Sequence, residues 1–142
     1  MYILDTNVLS ELMRPAPQAS VLQWVDGQSA QLLFTTAITK AEIELGIALL
    51  PAGKRHDALA NHAEIMFEED FANRCLPFDQ DCARIYANLV AARTRLGLPV
   101  SVEDAQIAAI CVANRKVLIT RNTVDFVQIE GLNVINPWHD LA

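Results

Sequence analysis

The sequence predicts an α/β protein, a sandwich with helices packed on both faces of a mainly parallel central sheet of about five strands. Short apolar segments alternate with helical patterns along most of the chain. The length of 142 residues and the 52% hydrophobic content are sufficient for a packed core. Neither an internal repeat nor a long linker interrupts the pattern, so residues 1–142 are expected to form a single domain.

The first half of the chain begins with an apolar run at residues 2–4, which predicts a buried strand. Apolar residues at helical spacing follow over residues 6–13 and 19–25, and the first of these helices must end near the proline that follows it. Residues 32–36 form a second apolar run and predict a second strand. A strong helical pattern then covers residues 39–50.

The second half continues the alternation. An amphipathic helix is expected over residues 55–71, a marginal strand at 75–78, and a helix over 81–96 that Gly97 closes. Residues 101–114 are helical again. The last two predicted strands are residues 117–120 and 133–135.

Carboxylates follow these elements at the positions where α/β sheets place their sites, outside the carboxyl ends of the strands. Asp5 ends the first strand, and Glu42 and Asp104 stand near the beginnings of two helices. Asp125 follows the fourth strand and is a fourth candidate. Each residue has a structural interpretation as well, because Asp5 can cap a helix, and Thr39 with Glu42 or Ser101 with Asp104 can form a capping box.

The grouping of the carboxylates favours a metal site. Two carboxylates about 4 Å apart repel by about 1 kcal/mol in water and about 4 kcal/mol at an effective dielectric of 20. A cation compensates this repulsion, and hard oxygen ligands suit Mg²⁺ or Mn²⁺. Such ions bind phosphate oxygens and activate water, which is the chemistry of phosphodiester cleavage.

The overall charge limits the other functions. The net charge of −6 is the wrong sign for gripping nucleic acid by bulk charge, so an RNA substrate needs a bound cation or a local basic patch. The candidates for such a patch are Lys40, Arg93, Arg95, Arg115, Lys116 and Arg121. The sequence shows neither a signal peptide nor a long apolar span, and its three cysteines show no disulfide or zinc spacing, so we expect a cytoplasmic protein. A dehalogenase-type phosphatase would need an acid where Asn7 stands.

Five segments in order resemble the PIN-domain family, and in particular the VapC toxins of toxin–antitoxin pairs in their FitB-like branch. They are residues 1–11 (MYILDTNVLSE), 38–46 (ITKAEIELG), 102–109 (VEDAQIAA), 118–126 (LITRNTVDF) and 135–138 (INPW). The resemblance implies a PIN-like α/β/α sandwich and an Mg²⁺- or Mn²⁺-dependent endoribonuclease. In it Asp5 and Asp104 would bind the metal, and Glu42 would complete the triad as a ligand or by orienting a water.

The resemblance leaves the fourth acid open and implies further partners. Family members often carry an aspartate where this chain has Asn122, whereas here the acid is Asp125. The family also implies a homodimer and silencing by a cognate, VapB-like antitoxin, whose C-terminal segment often places a basic side chain in the acidic site. The candidate groove residues are Leu9, Leu12, Met13, Leu45, Leu49 and Leu50, and the candidate hydrogen-bonding supports of the carboxylates are Thr6, Asn7 and Ser101.

One alternative from a different class stays open at this level. The chain could serve mainly as a catalytically weak binding component of an antitoxin–DNA complex. The displaced fourth acid is the feature that permits this interpretation.

Overall fold

The structure, a computed structural model, describes residues 1–139 and contains one five-stranded sheet. The strands are β1 (Tyr2–Leu4), β2 (Leu33–Thr36), β3 (Cys75–Leu76), β4 (Val117–Ile119) and β5 (Val134–Ile135). All neighbours pair in parallel, in the order β3-β2-β1-β4-β5. The predicted α/β fold class with its parallel sheet is confirmed.

In this described part of the chain, six α-helices connect or flank the strands. They are α1 (Thr6–Leu12), α2 (Ala19–Asp26), α3 (Ala37–Ala48), α4 (Lys54–Ile65), α5 (Gln80–Arg95) and α6 (Val102–Ala113). Short 3₁₀ helices at Ala30–Leu32 and Thr123–Phe126 and a π-helical turn at Met66–Asp70 complete the structure. Within residues 1–139, none of the helices combines the length and the apolar character needed to cross a bilayer.

The central strand β1 separates two apolar cores. Ile3 and Leu4 are both fully buried, but they point to opposite faces because side chains alternate along a strand. Leu4 packs in the core formed mainly by α1, α2, α3 and α4, and Ile3 in the core formed mainly by α5 and α6. This burial on both faces fixes β1, so the residue that follows it lies at a rigid edge of the sheet.

Helix caps account for the boundaries around the site. Ser101 accepts a hydrogen bond from the Asp104 amide (3.1 Å), as a helix N-cap does. The helix after β2 begins earlier than predicted, because Thr36 accepts the Thr39 amide (3.1 Å) and acts as its N-cap. The interpretation of Thr39 and Glu42 as a capping box is therefore wrong. Both residues lie inside α3, and their side chains are free for other contacts.

Candidate active site

Asp5 lies at the carboxyl end of β1, in the middle of the sheet, and is 3% exposed. One carboxylate oxygen, Oδ1, accepts the Thr6 amide (2.8 Å), and the other, Oδ2, accepts the Thr120 hydroxyl (2.7 Å). Burial is the main reason why the pKa of Asp5 is raised to about 6, and the charges of Asp104 and Glu42 raise it further. The hydrogen bonds from Thr120 and Thr6 act in the opposite direction, because they favour the ionised form.

Asn7 and Thr120 fix the orientation of this carboxylate. The Asn7 amide group donates to Asp5 Oδ2 (3.2 Å) and to the Thr120 hydroxyl oxygen (3.0 Å). In return, Asn7 Oδ1 accepts the Arg121 amide (3.1 Å), and Thr120 Oγ1 accepts the Asn122 amide (3.1 Å). The network joins the ends of β1 and β4, so Asp5 cannot turn away from the edge of the sheet.

Glu42 approaches the same edge from α3. Its Oε1 accepts the Thr6 hydroxyl (2.9 Å), and Thr39 Oγ1 lies 3.0 Å from the same hydroxyl oxygen. Because Thr6 has one hydroxyl proton and gives it to Glu42, the Thr39 hydroxyl is left to donate to Thr6. Partial burial, followed by the charges of Asp104 and Glu103, raises the pKa of Glu42.

Asp104 enters from the first turn of α6 and is partly exposed. Burial makes the largest contribution to its raised pKa, and the charges of Asp125 and Glu103 add to it. Since Asp104 also raises the pKa of Asp5 and of Glu42, these carboxyl groups share one electrostatic environment. Among residues 1–139, no basic side chain contributes to the pKa shifts of these three carboxyl groups, so their negative charges are not offset by a neighbouring cation.

The two candidates for the fourth acid differ in place. Asp125 is an exposed residue of the 3₁₀ helix Thr123–Phe126 and lies close enough to Asp104 to raise its pKa. Asn122 precedes that helix and is tied to Thr120 through its backbone amide. The structure thus brings the charge of Asp125, three residues beyond Asn122, into the electrostatic environment of the site.

The carboxylates do not form a closed ligand shell. Among residues 1–139, no three Asp, Glu, His or Cys side chains come to the spacing of a complete metal-ligand set. The donor chemistry nevertheless fits Mg²⁺, which keeps several waters and binds through one or two carboxylates plus substrate oxygens. Asp5, Asp104 and Glu42 offer hard oxygen atoms for this mode of binding.

Thr120 is the site residue that the sequence analysis missed, and it is completely buried. The signal was available, since Thr120 ends the predicted strand 117–120 much as Asp5 ends the first strand, and the sheet is predicted to be mainly parallel. A hydroxyl group at that place lies beside Asp5 whenever the two strands are neighbours, as they are here. Thr6, Asn7 and Ser101 were expected near the carboxylates, and the first two contact Asp5 or Glu42 directly.

The basic residues are spread over the molecule. Arg121 adjoins the site through its backbone, and its guanidinium lies 5.3 Å from the centre of the Trp138 ring. Lys116 lies against Phe34 (4.4 Å) before β4, at the opposite edge of the parallel sheet. Arg93 is only 3% exposed, so its selection as a surface contact for RNA was wrong.

An apolar groove of about 610 Å³ opens beside Glu42 and Thr6 and runs between α1, α3 and α4. Met13 and Leu50 line it, as the sequence analysis expected. Leu9 is fully buried in the core instead, Leu45 lies on the surface of α3 with 60% exposure, and Leu49, the residue that follows α3, is 76% exposed. The lining of the groove also includes Arg14, Arg55 and His62.

A parallel α/β sandwich with acidic groups gathered beyond its central strand defines the class of this protein, and comparison with known proteins gives the family. The PIN domain family matches residues 2–132. Because this match covers most of the chain, the protein belongs to the PIN-domain family.

Three relatives match almost over their full lengths. Plasmid stability protein StbB of Pseudomonas syringae pv. tomato is 49% identical over 97% of this chain and 99% of its own. VapC ribonuclease Y4jK of Sinorhizobium fredii is 43% identical over 97% of this chain and 98% of its own. Toxin FitB of Neisseria gonorrhoeae is 39% identical over 99% of this chain and 100% of its own.

A solved structure agrees with the fold. A structure of FitAB bound to an IR36 DNA fragment contains a chain that is 37% identical and superposes with a TM-score of 0.93. The match covers 100% of this chain and 99% of that one. The predicted resemblance to VapC-like PIN proteins of the FitB branch is confirmed.

Proposed function

We propose that this protein is the toxin of a toxin–antitoxin pair and acts as a metal-dependent endoribonuclease. The observation that carries the proposal is the buried Asp5 carboxylate, fixed by hydrogen bonds and facing the charges of Glu42 and Asp104. Relatives named VapC ribonuclease and toxin FitB support the same activity. The substrate is RNA, and hydrolysis of a phosphodiester bond is the reaction.

Within this proposal, Asp5 and Asp104 would hold an Mg²⁺ or Mn²⁺ ion, and Glu42 would be a further ligand or would orient the attacking water. The cation, when bound, stabilises negative charge on the phosphate and makes water a better nucleophile. Thr120 and Asn7 keep Asp5 oriented, and the Thr6 hydroxyl keeps Glu42 on the same side of the site. Asp125 is the fourth acidic group of the proposed site, and its charge raises the pKa of Asp104.

The experiment that tests the function uses the purified chain free of antitoxin and a panel of structured RNAs. We expect RNA cleavage in the presence of Mg²⁺ or Mn²⁺, loss of cleavage after chelation with EDTA, and recovery when the ion is added again. Cleavage that persists unchanged in EDTA would contradict the metal-dependent mechanism. Absence of cleavage with every RNA and either ion would favour the alternative, a catalytically weak binding component of an antitoxin–DNA complex.

The apolar groove beside Glu42 is proposed as the seat of the cognate antitoxin. A segment with an apolar face matches the Met13, Ile47 and Leu50 lining. A basic side chain of the segment would meet Glu42, and acidic side chains of the segment would meet Arg14 and Arg55, which also line the groove. The segment would thus cover the entrance to the acidic site. The proposal also includes a homodimer and a cytoplasmic location.

Leu50→Lys is expected to weaken the antitoxin complex at least about tenfold, because a lysine in the groove would be buried without a partner and about 1.4 kcal/mol already corresponds to tenfold. The measurement is the dissociation constant of the complex with the cognate antitoxin. Leu49→Lys is the matched control, since Leu49 is 76% exposed and lies outside the groove. Equal weakening by both variants would argue against this seat.

A further inference from the structure

Arg93 is a buried cation that the proposed chemistry does not use. It lies in the last turn of α5 and is 3% exposed. Among the ion pairs of residues 1–139, none involves Arg93. Burying a charged group is unfavourable unless hydrogen bonds satisfy it, so its contacts must account for its position.

The guanidinium of Arg93 donates to the backbone of two separate segments. Its Nε donates to the Leu98 carbonyl oxygen (2.8 Å), and its Nη1 donates to the Val127 carbonyl oxygen (2.5 Å). The backbone carbonyl of Arg93 also accepts the Leu98 amide (2.9 Å). Gly97, with φ of 71°, supplies the left-handed turn that this closure at the end of a helix requires.

Each of the two segments leads to an acidic residue of the site. Leu98 begins the short connection to Ser101, which caps α6 and accepts the Asp104 amide. Val127 directly follows the 3₁₀ helix that carries Asp125. That helix is also fixed by Phe126, which is 2% exposed and packs in the same core as α6.

We propose that Arg93 is a positioning residue, which ties the connection before α6 to the segment after the 3₁₀ helix and so sets Asp104 and Asp125 relative to each other. Its planar guanidinium presents several donors in a rigid arrangement, so one side chain can bridge two backbone segments. This inference rests on the proposed function only in assigning Asp104 and Asp125 to a nuclease site. The hydrogen bonds that carry it are independent of that assignment.

Arg93→Met tests the proposal, because methionine retains the apolar part of the side chain but cannot donate either hydrogen bond. We expect the affinity for Mn²⁺, measured calorimetrically, to fall about tenfold and the kcat for RNA cleavage to fall about 10- to 100-fold, the range seen when groups that support metal ligands are removed. The KM for RNA should change less than about twofold, since Arg93 does not face the substrate. Arg84→Met, an exposed position of the same helix, is the matched control.

Hydrogen exchange separates positioning from general loss of structure. In Arg93→Met we expect faster exchange at the Leu98, Asp104 and Asp125 amides and unchanged exchange at Leu118 and Ile119 in the sheet. Arg93→Lys retains a charge and is long enough to reach one carbonyl oxygen. It should show a smaller fall in Mn²⁺ affinity and a smaller increase in hydrogen exchange than Arg93→Met.

Two results would overturn the proposal. The first is an Arg93→Met protein whose Mn²⁺ affinity and exchange at the Leu98, Asp104 and Asp125 amides equal those of the wild type. The second is an increase of exchange throughout the sheet that is equally large in Arg93→Met and Arg93→Lys. A wild-type protein that fails to cleave RNA would overturn the proposed function instead, while the exchange and Mn²⁺ measurements would still decide the role of Arg93.

Discussion

Replacing Asp5 by asparagine is expected to lower RNA cleavage at least about 100-fold, since even groups that only support a metal ligand contribute about 10- to 100-fold. Asparagine has nearly the same shape and can still accept the Thr6 amide, so the edge of the sheet should be kept. What is lost is the negative charge at the centre of the site. The measurement is the single-turnover cleavage rate at saturating Mg²⁺, with Asp104→Asn expected to behave in the same way.

Asp26→Asn is the control for this change, because Asp26 is an exposed carboxylate at the end of α2. It should cleave RNA at the wild-type rate. Circular dichroism and Tm verify that each variant is folded. Wild-type activity in a folded Asp5→Asn protein would eliminate the carboxylate mechanism, whatever the fate of the toxin assignment.

The same activity series identifies the fourth acid. Asp125 lies near Asp104 and raises its pKa, whereas the backbone of Asn122 supports Thr120. We therefore expect a loss of about tenfold for Asp125→Asn, at the lower end of the range for supporting groups. Asn122→Ala should lose less than Asp125→Asn, because its amide hydrogen bond to Thr120 comes from the backbone. The reverse order would place the fourth position at Asn122.

The sequence predicted the strands and helices well because their signals are local. The apolar run before Asp5, the glycine that closes α5 and the serine that caps α6 each act within a few residues, and the structure confirms all three. Thr39 shows where the local signal fails. Two threonines compete for the N-cap of α3, and Thr36 takes it because the chain leaves β2 at that point.

For the site itself, the sequence predicted only the edge of the sheet at which the acidic residues lie and did not predict the contacts between them. Thr120 contacts Asp5 across 115 positions of sequence, a relation fixed by the pairing of β1 with β4. The burial of Arg93 depends equally on a distant partner, the Val127 carbonyl. Charge patterns cannot distinguish a buried arginine from an exposed one, because the distinction arises from tertiary packing.

The pH dependence of stability provides a measurement of the Asp5 environment without RNA. The pKa of Asp5 is raised from 3.8 to about 6 in the folded chain, so the folded state binds the proton more tightly than the unfolded state does. The contribution of Asp5 to the free energy of unfolding is therefore fully present below about pH 3.8 and is lost as pH rises through about 6. A shift of this size corresponds to about 3 kcal/mol, which is an upper figure because neighbouring carboxyl groups titrate together.

Glu42 and Asp104 act in the same direction, since their pKa values are also raised. Glu11 acts in the opposite direction. Its carboxylate accepts the Gln18 amide (2.9 Å) and pairs with Arg14 (3.2 Å), which lowers its pKa, so its contribution is lost as pH falls. Stability of the metal-free protein should thus pass through a maximum on the acidic side of neutrality.

Urea unfolding between pH 4 and pH 8 in EDTA tests this expectation, with Asp5→Asn as the comparison. The variant should lose most of the decline between pH 4 and pH 6 and should be more stable than the wild type at pH 7.5. Saturating Mg²⁺ should stabilise the wild type at pH 7.5 more than the variant, because an ion that binds only the folded state adds RT ln(1 + [L]/Kd). Parallel pH curves for the two proteins in EDTA would show that burial does not raise the pKa of Asp5. The unfavourable burial and mutual repulsion of carboxylates, which a cation is expected to offset at this site, would then have no basis.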